Sequence, residues 1–197
     1  FIIIEKSKAM LKKKIREIYR SKRQLLSFRE INELSFKIAN QALKIPIWNK
    51  DFYHIFLSIQ NLKEVNTEPL ITILFGKDKN VIIPKADFFK CEMTHYLLTD
   101  NTIIKKNNWN IPEPENGLQV NESKLEVIFI PLLAFDIQGN RIGYGKGFYD
   151  VFLKKCPDAI KVGLSFFHAE EELINDINSK DIALDYCITP NKIYKFS

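Results

Sequence analysis

Residues 127–135, Val-Ile-Phe-Ile-Pro-Leu-Leu-Ala-Phe, form an unbroken apolar run. Side chains alternate between the two faces of a strand, so a strand with no polar face must be covered on both sides. The run therefore predicts a central strand, with helices packed above and below the sheet. The rest of the chain supplies those helices. Residues 5–26 read as a Lys-rich helix carrying Leu11, Ile15 and Ile18. Ser27 followed by Glu30 is a capping box. It opens a second helix with Ile31, Leu34, Ile38, Ala42 and Ile45 on one stripe, ended by Pro46. Thr67-Glu68-Pro69 starts a helix that runs to Gly76. Further helices are predicted over 146–155 and 169–179, the second opening on a solvated Glu170-Glu171-Glu172 run. Strands are predicted over 52–59, 81–83, 93–98, 160–167 and 186–189. Strands alternate with helices, so the expected class is α/β: a single three-layer, Rossmann-like domain over residues 1–197 with a mainly parallel central sheet.

Composition narrows the function. Apolar residues make up 46% of the 197, with 15 Phe, enough for a core without staples. Cys91, Cys156 and Cys187 are odd in number and lack Cys-x-x-Cys spacing, which argues against a disulfide framework or a zinc ribbon. His54, His95 and His168 show no ligand spacing, so a His-based hydrolytic metal site is not expected. No apolar run nears the roughly 20 residues that span a bilayer. The expected location is cytoplasmic, or organellar if a targeting segment precedes Phe1. The net charge of +5 first suggests nucleic acid. However, residues 1–23 hold nine Lys or Arg against two Glu (+7), while the remainder holds 20 basic and 22 acidic residues (−2). The basicity belongs to one segment, which could be a solvated helix face, a nucleic-acid arm or a clamp for a small polyanion.

Three of the seven glycines fall at 143, 145 and 147, within Asp136-Ile-Gln-Gly-Asn-Arg-Ile-Gly-Tyr-Gly-Lys-Gly-Phe-Tyr-Asp150. Alternating Gly lets backbone N–H groups approach phosphate oxygens closely, and Arg141 and Lys146 add positive charge. A Walker loop would need Ser or Thr after Lys146, where Gly147 stands. A dinucleotide fingerprint would need Gly at position 148, where Phe148 stands, and would follow its strand at once.

The same string resembles the signature of the 5-formyltetrahydrofolate cyclo-ligase family: an apolar strand, Phe-Asp, two variable residues, Gly, then Arg-Leu-Gly-Tyr/Arg-Gly-x-Gly-Tyr-Tyr-Asp. Phe148 replaces the first Tyr of that pattern and Ile142 its Leu. Further segments, in family order, resemble the family's folate-binding strand and loop (56–67), its apolar-Pro-basic strand end (Ile83-Pro84-Lys85), its Ile-Pro-Glu-Pro turn after Trp109 and an Asp-bearing segment at Leu184-Asp185.

The resemblance implies an enzyme that converts 5-formyltetrahydrofolate to 5,10-methenyltetrahydrofolate. ATP would be co-substrate, Mg²⁺ the metal, and ADP and phosphate the by-products. The ATP-binding residues would be Lys12, Arg16, Lys85, Arg141, Gly143, Tyr144, Gly145, Lys146, Gly147, Phe148 and Tyr149, with Arg141, Lys146 and Tyr149 catalytic. Ile59, Glu64, Trp109 and Tyr144 to Phe148 would bind the folate, and Asp150 and Asp185 the metal. Lys12 and Arg16, four apart, share one helix face. These residues should then line one cleft at the carboxyl ends of the central strands, with Asp150 and Asp185 sharing one Mg²⁺. The small-molecule substrates are the expected partners of a monomer, without membrane or nucleic acid. The competing readings are a basic nucleic-acid-binding protein and an ATP-dependent enzyme acting on another small acid.

Overall fold

The computed structural model describes residues 11–196. In chain order it contains α1 (Lys12–Gln24), α2 (Phe28–Ala42), β1 (Phe52–His54), α3 (Glu68–Gly76), β2 (Asn80–Asp87), β3 (Glu92–Leu97), β4 (Ile104–Lys106), β5 (Pro112–Pro114), β6 (Val127–Pro131), β7 (Ala134–Phe135), β8 (Arg141–Ile142), α4 (Phe148–Leu153), β9 (Ile160–Leu164), β10 (Tyr186–Ile188) and β11 (Ile193–Lys195).

Strand β6 lies in the middle of a seven-stranded sheet of order β11-β10-β9-β6-β1-β2-β3. The five inner strands are parallel, and β11 and β3 run antiparallel at the two edges. Alternation along β6 divides the core as its sequence demands. Val127 and Phe129 pack with Ile38 and Ala42 of α2 and Leu70 and Leu74 of α3. Ile128 and Ile130 pack on the opposite face with Phe152 and Leu153 of α4. Each fully buried side chain of this size contributes roughly 1.5–3 kcal/mol by leaving water. Helices cover both faces, which gives the expected three-layer α/β architecture with a mainly parallel sheet. The capping box forms: Glu30 N–H donates to Ser27 Oγ at 3.2 Å, and Ser27 N–H donates to Glu30 Oε2 at 2.8 Å.

Several local expectations are corrected. The run 127–135 is two strands, because the chain turns at Leu132-Leu133 and pairs β7 with β8 in a separate hairpin. The first strand is three residues, although Ile55 N–H still reaches Ile82 O at 2.8 Å. No helix forms over 169–179. There Glu170 N–H donates to Phe135 O at 2.8 Å and Ile174 N–H to the Asp136 carboxylate at 3.2 Å. Long-range bonds to a buried hairpin outcompete a short helix that would be marginal alone. Helix α4 starts at Phe148 rather than 146, because Gly147 holds φ +78° as its cap. The expected start of the first helix, before residue 11, lies outside the described residues. Among the described residues no helix is long and apolar enough to cross a membrane.

Candidate active site

Helix α1 does not join either face of the sheet. Its apolar Ile15 and Tyr19 pack on Leu133, Ala134 and Ile142, the residues that follow the carboxyl end of β6. Burying that stripe turns Arg16 and Arg20 towards the glycine loop and Lys12 towards Asp181. Arg16 Nε donates to Gly143 O at 3.0 Å and Arg20 Nη2 to Tyr144 O at 3.4 Å. Asp176 caps the helix start, accepting from Lys12 N–H at 2.9 Å.

The loop owes its shape to Asp136. This carboxylate is fully buried and accepts from Gln138 N–H (3.0 Å), Asn140 N–H (2.9 Å), Asn140 Nδ2 (2.9 Å) and Ile174 N–H (3.2 Å). A buried carboxylate is tolerated only when its lone pairs are satisfied, and these four bonds fix the turn that launches β8. Beyond it, Gly145 and Gly147 hold φ of +88° and +78°, conformations that L side chains rarely adopt. A Cβ on Gly145 would also sit 3.2 Å from Arg16 Cζ.

At one end of the loop, Arg141 donates from both terminal nitrogens to Asp150 Oδ1, at 3.0 and 2.8 Å. Ile182 N–H adds a bond to the same oxygen at 3.3 Å. Burial lowers the Arg141 pKa, with Asp150 opposing. Lys12 forms an ion pair with Asp181. Burial would raise the Asp181 pKa, but Lys12, Asn178 N–H and Arg141 hold it below its usual value.

At the other end stands Glu64, 4% exposed. Its Oε2 accepts from Ile59 N–H at 2.7 Å and its Oε1 from the Tyr144 hydroxyl at 2.6 Å. Burial raises its pKa, while Tyr144, Ile59 N–H and Arg23 act in the opposite direction. Phe88 connects two aromatic walls, its ring centroid 4.3 Å from that of Trp109 and 5.1 Å from that of Phe148.

Both ends open into one cavity of about 590 Å³. Pro131 at the end of β6 and Ala86 near the end of β2 both line it. It thus lies at the carboxyl ends of parallel strands, where open α/β sheets bind ligands. Of the residues expected from sequence, Lys12, Arg16, Ile59, Glu64, Trp109, Arg141, Gly143, Tyr144, Gly145, Lys146, Gly147, Phe148, Tyr149 and Asp150 all line it.

Two expected residues do not. Lys85 lies within the β2–β3 ladder, its carbonyl accepting from Thr94 Oγ1 at 3.5 Å, and is not part of the lining. Asp185 precedes β10 at the amino ends of β9 and β10. There its carboxylate accepts from Lys161 N–H at 2.7 Å and lies 3.6 Å from Lys161 Nζ. It fixes strand register rather than facing Asp150. Asp181, four residues earlier, takes the place in the cavity. Sequence reasoning also missed Arg20 and Phe88, which line the cavity, and Arg23. Their only signals were the four- and seven-residue spacing of Arg20 and Arg23 from Arg16 on α1 and an aromatic residue just after Lys85.

The described residues contain no group of three or more His, Cys, Asp or Glu placed around a metal. The donor set nevertheless fits Mg²⁺, which takes one or two protein carboxylates and fills its shell with phosphate oxygens and water. Asp150 and Asp181 are two partly exposed carboxylates on one wall. The Tyr149 hydroxyl is buried in the same wall, and among the described residues it has no hydrogen-bond partner. Burial pushes its pKa far above the usual phenol value, with Glu64 adding to the rise and Arg141 opposing. His54 and His95 lie beneath the cavity, packed on Phe152 with ring centroids 4.8 and 4.3 Å away.

Residues 5–190 match the model of the 5-formyltetrahydrofolate cyclo-ligase family. A probable 5-formyltetrahydrofolate cyclo-ligase of Schizosaccharomyces pombe is 27% identical over 205 residues, covering 95% of this chain and 98% of its own. The 5-formyltetrahydrofolate cyclo-ligase of Escherichia coli is 28% identical over 185 residues, covering 90% and 99%. The structure of the 5,10-methenyltetrahydrofolate synthetase of Aquifex aeolicus superposes with a TM-score of 0.81 at 30% identity, covering 95% of this chain and 93% of that one.

Proposed function

The chain belongs to the 5-formyltetrahydrofolate cyclo-ligase family, and from that premise we propose that its cavity joins ATP to 5-formyltetrahydrofolate in one ternary complex. The observation that supports this reading is the polarity of the single cavity. Lys12 and Arg141 stand at the end with two carboxylates, Arg16 and Lys146 add cations to the lining, and the buried carboxyl of Glu64 stands at the other end. The cationic end suits a triphosphate. Glu64, in a cavity also lined by Ile59, Phe88 and Trp109, suits a flat heterocycle whose N–H edge donates to a carboxylate. Because Arg16 and Arg20 turn onto the loop and Lys12 pairs with Asp181 in the cavity wall, the basic segment serves this reading better than a nucleic-acid arm.

The formyl group on N5 is an amide, a weak electrophile whose oxygen leaves poorly. In the proposed sequence the formyl oxygen attacks the γ-phosphorus, a P–O bond forms, the bridge to ADP breaks, and phosphate becomes the leaving group. The N10 lone pair then attacks the formyl carbon, its proton passes to solvent, and loss of phosphate leaves the methenyl bridge. The protein's part is positioning and charge neutralisation. Arg141 and Lys146 would stabilise charge on the transferring phosphoryl group, Tyr149 would donate its unpartnered hydroxyl, and the amides of Gly143, Gly145 and Gly147 would cradle the phosphates. Asp150 and Asp181 would hold Mg²⁺, which supplies further neutralisation of phosphate oxygens when bound. Glu64 would fix the pterin and Trp109 would stack on it. The test is the absorbance of the methenyl product with ATP, Mg²⁺ or 5-formyltetrahydrofolate omitted in turn. Product formed at full rate without ATP would overturn the reading.

A further inference from the structure

Arg23 does not line the cavity, yet it is only 5% exposed and belongs to none of the ion pairs found among the described residues. It sits in the last turn of α1. Its Nη2 donates to the Tyr144 hydroxyl, and its guanidinium carbon lies 5.4 Å from the centre of that ring. The same hydroxyl donates to Glu64 Oε1 at 2.6 Å. A buried cation and a buried anion are thus joined through one neutral phenol, which accepts from the first and donates to the second. Burying an isolated carboxylate is costly enough that it takes up a proton instead unless a partner holds the charge. The neighbouring groups leave Arg23 as that partner. Lys63 is turned away, its Nζ donating to Gln24 O and Leu26 O at 2.6 Å each. Arg20 is exposed and stands 6.0 Å from the Tyr144 ring centre. Tyr149, whose charge would repel that of Glu64, is a buried neutral phenol.

We propose that Arg23 is a positioning residue for folate recognition: acting through Tyr144, it keeps Glu64 ionised and correctly oriented to accept the N–H edge of the substrate. The inference rests on the assignment of Glu64 to the folate. Burial already raises the Glu64 pKa and Arg23 opposes that rise. Removing the cation raises it further, so the carboxylate is lost at a higher pH as the solution is acidified. A protonated Glu64 would present a donor where the substrate also brings donors.

The experiment measures KM for 5-formyltetrahydrofolate, KM for ATP and kcat between pH 5.5 and 8.5 for wild type, Arg23→Met, Arg23→Lys and Glu64→Gln, and for the double variant Arg23→Met/Glu64→Gln. Arg23→Met should raise the folate KM about tenfold at pH 7 and move the acid limb of kcat/KM(folate) upward by about one unit. KM for ATP and kcat should stay within about threefold. Arg23→Lys, which keeps the charge, should recover most of the folate KM and return the acid limb. In the Glu64→Gln background, Arg23→Met should add less than twofold. An unshifted acid limb in Arg23→Met, or an equal penalty with and without Glu64, would overturn the role of Arg23. If Arg23→Met proves unstable, the outcome is read from Arg23→Lys against Glu64→Gln, and an Arg23→Lys profile no better than that of Glu64→Gln would also overturn it. Normal folate KM in Glu64→Gln would instead remove the folate assignment itself, which separates the two failures.

Discussion

Gly145 and Gly147 share a left-handed backbone but differ in what surrounds them, and that difference makes a quantitative test of the phosphate-loop assignment. At Gly147, φ is +78° and nothing lies within 4 Å of an added Cβ. Alanine there adds conformational strain alone, roughly 1–2 kcal/mol for an L residue held left-handed. At Gly145, φ is +88° and the new Cβ would stand 3.2 Å from Arg16 Cζ and 3.3 Å from Arg16 Nε. Relief requires the guanidinium to give by a few tenths of an ångström, which weakens its 3.0 Å charged hydrogen bond to Gly143 O, a bond worth about 1.5–3 kcal/mol when intact. If the loop must hold this shape to bind ATP, both terms appear in KM for ATP, at about tenfold per 1.4 kcal/mol. Gly147→Ala should raise that KM about tenfold and Gly145→Ala about a hundredfold. Folate KM should change much less in both. The assay is initial rate against ATP at saturating folate, followed by methenyl absorbance. A Gly145→Ala variant no worse than Gly147→Ala, or parallel weakening of the two substrates, would rule out the phosphate-loop assignment.

Other tests address separate parts of the molecule. Asp150→Asn and Asp181→Asn should each reduce ATP-dependent turnover at least a hundredfold with unchanged circular dichroism, whereas Asp185→Asn should stay within about threefold and lose stability instead; comparable turnover losses at Asp181 and Asp185 would contradict the placement of the carboxylates. His95 is buried, among the described residues neither of its ring nitrogens has a hydrogen-bond partner, and burial lowers its pKa to about 4. The unfolded chain, with an imidazole near the ordinary 6.5, therefore binds the proton first, and the contribution is intact above pH 6.5 and lost as pH falls towards 4. That amounts to about 3 kcal/mol at roughly 1.4 kcal/mol per unit, so His95→Phe should lose distinctly less stability than wild type between pH 7 and 4 in urea titrations. Trp109 is half exposed beside the cavity while Trp48 packs on Tyr53 in the core. Folate should quench the tryptophan fluorescence of wild type and leave that of Trp109→Phe unchanged, and a retained response would exclude contact with Trp109.

Elements were legible where a local pattern met no competitor. The apolar run of β6 demanded cover on two faces and found it, and Ser27 with Glu30 formed its box from partners only three residues apart. The lost helix over 169–179 failed because its amides had better partners far away in sequence, on Phe135 O and Asp136. No window of the chain carries that information. Asp136 is one residue of the signature string, and the reason for a carboxylate there lies in the fold: four donors converge on it.

The glycine loop and the basic helix could be picked out from sequence because three of the seven glycines and nine of the 29 basic residues are concentrated in two short segments. The metal-side carboxylates could not be sorted in the same way. Asp181 and Asp185 stand four apart in a segment without helical or strand pairing, where no periodicity says which residue faces which way. Four extended residues cover up to about 13 Å, enough to carry one carboxylate into the cavity and the other to the amino ends of the strands. What decides between them is long-range: Lys12 comes across 169 positions to pair with Asp181, and Lys161 offers its N–H to Asp185 from the neighbouring strand. The two aspartates are chemically identical, and only the register of β9 against β10 assigns one to the sheet and leaves the other for the site.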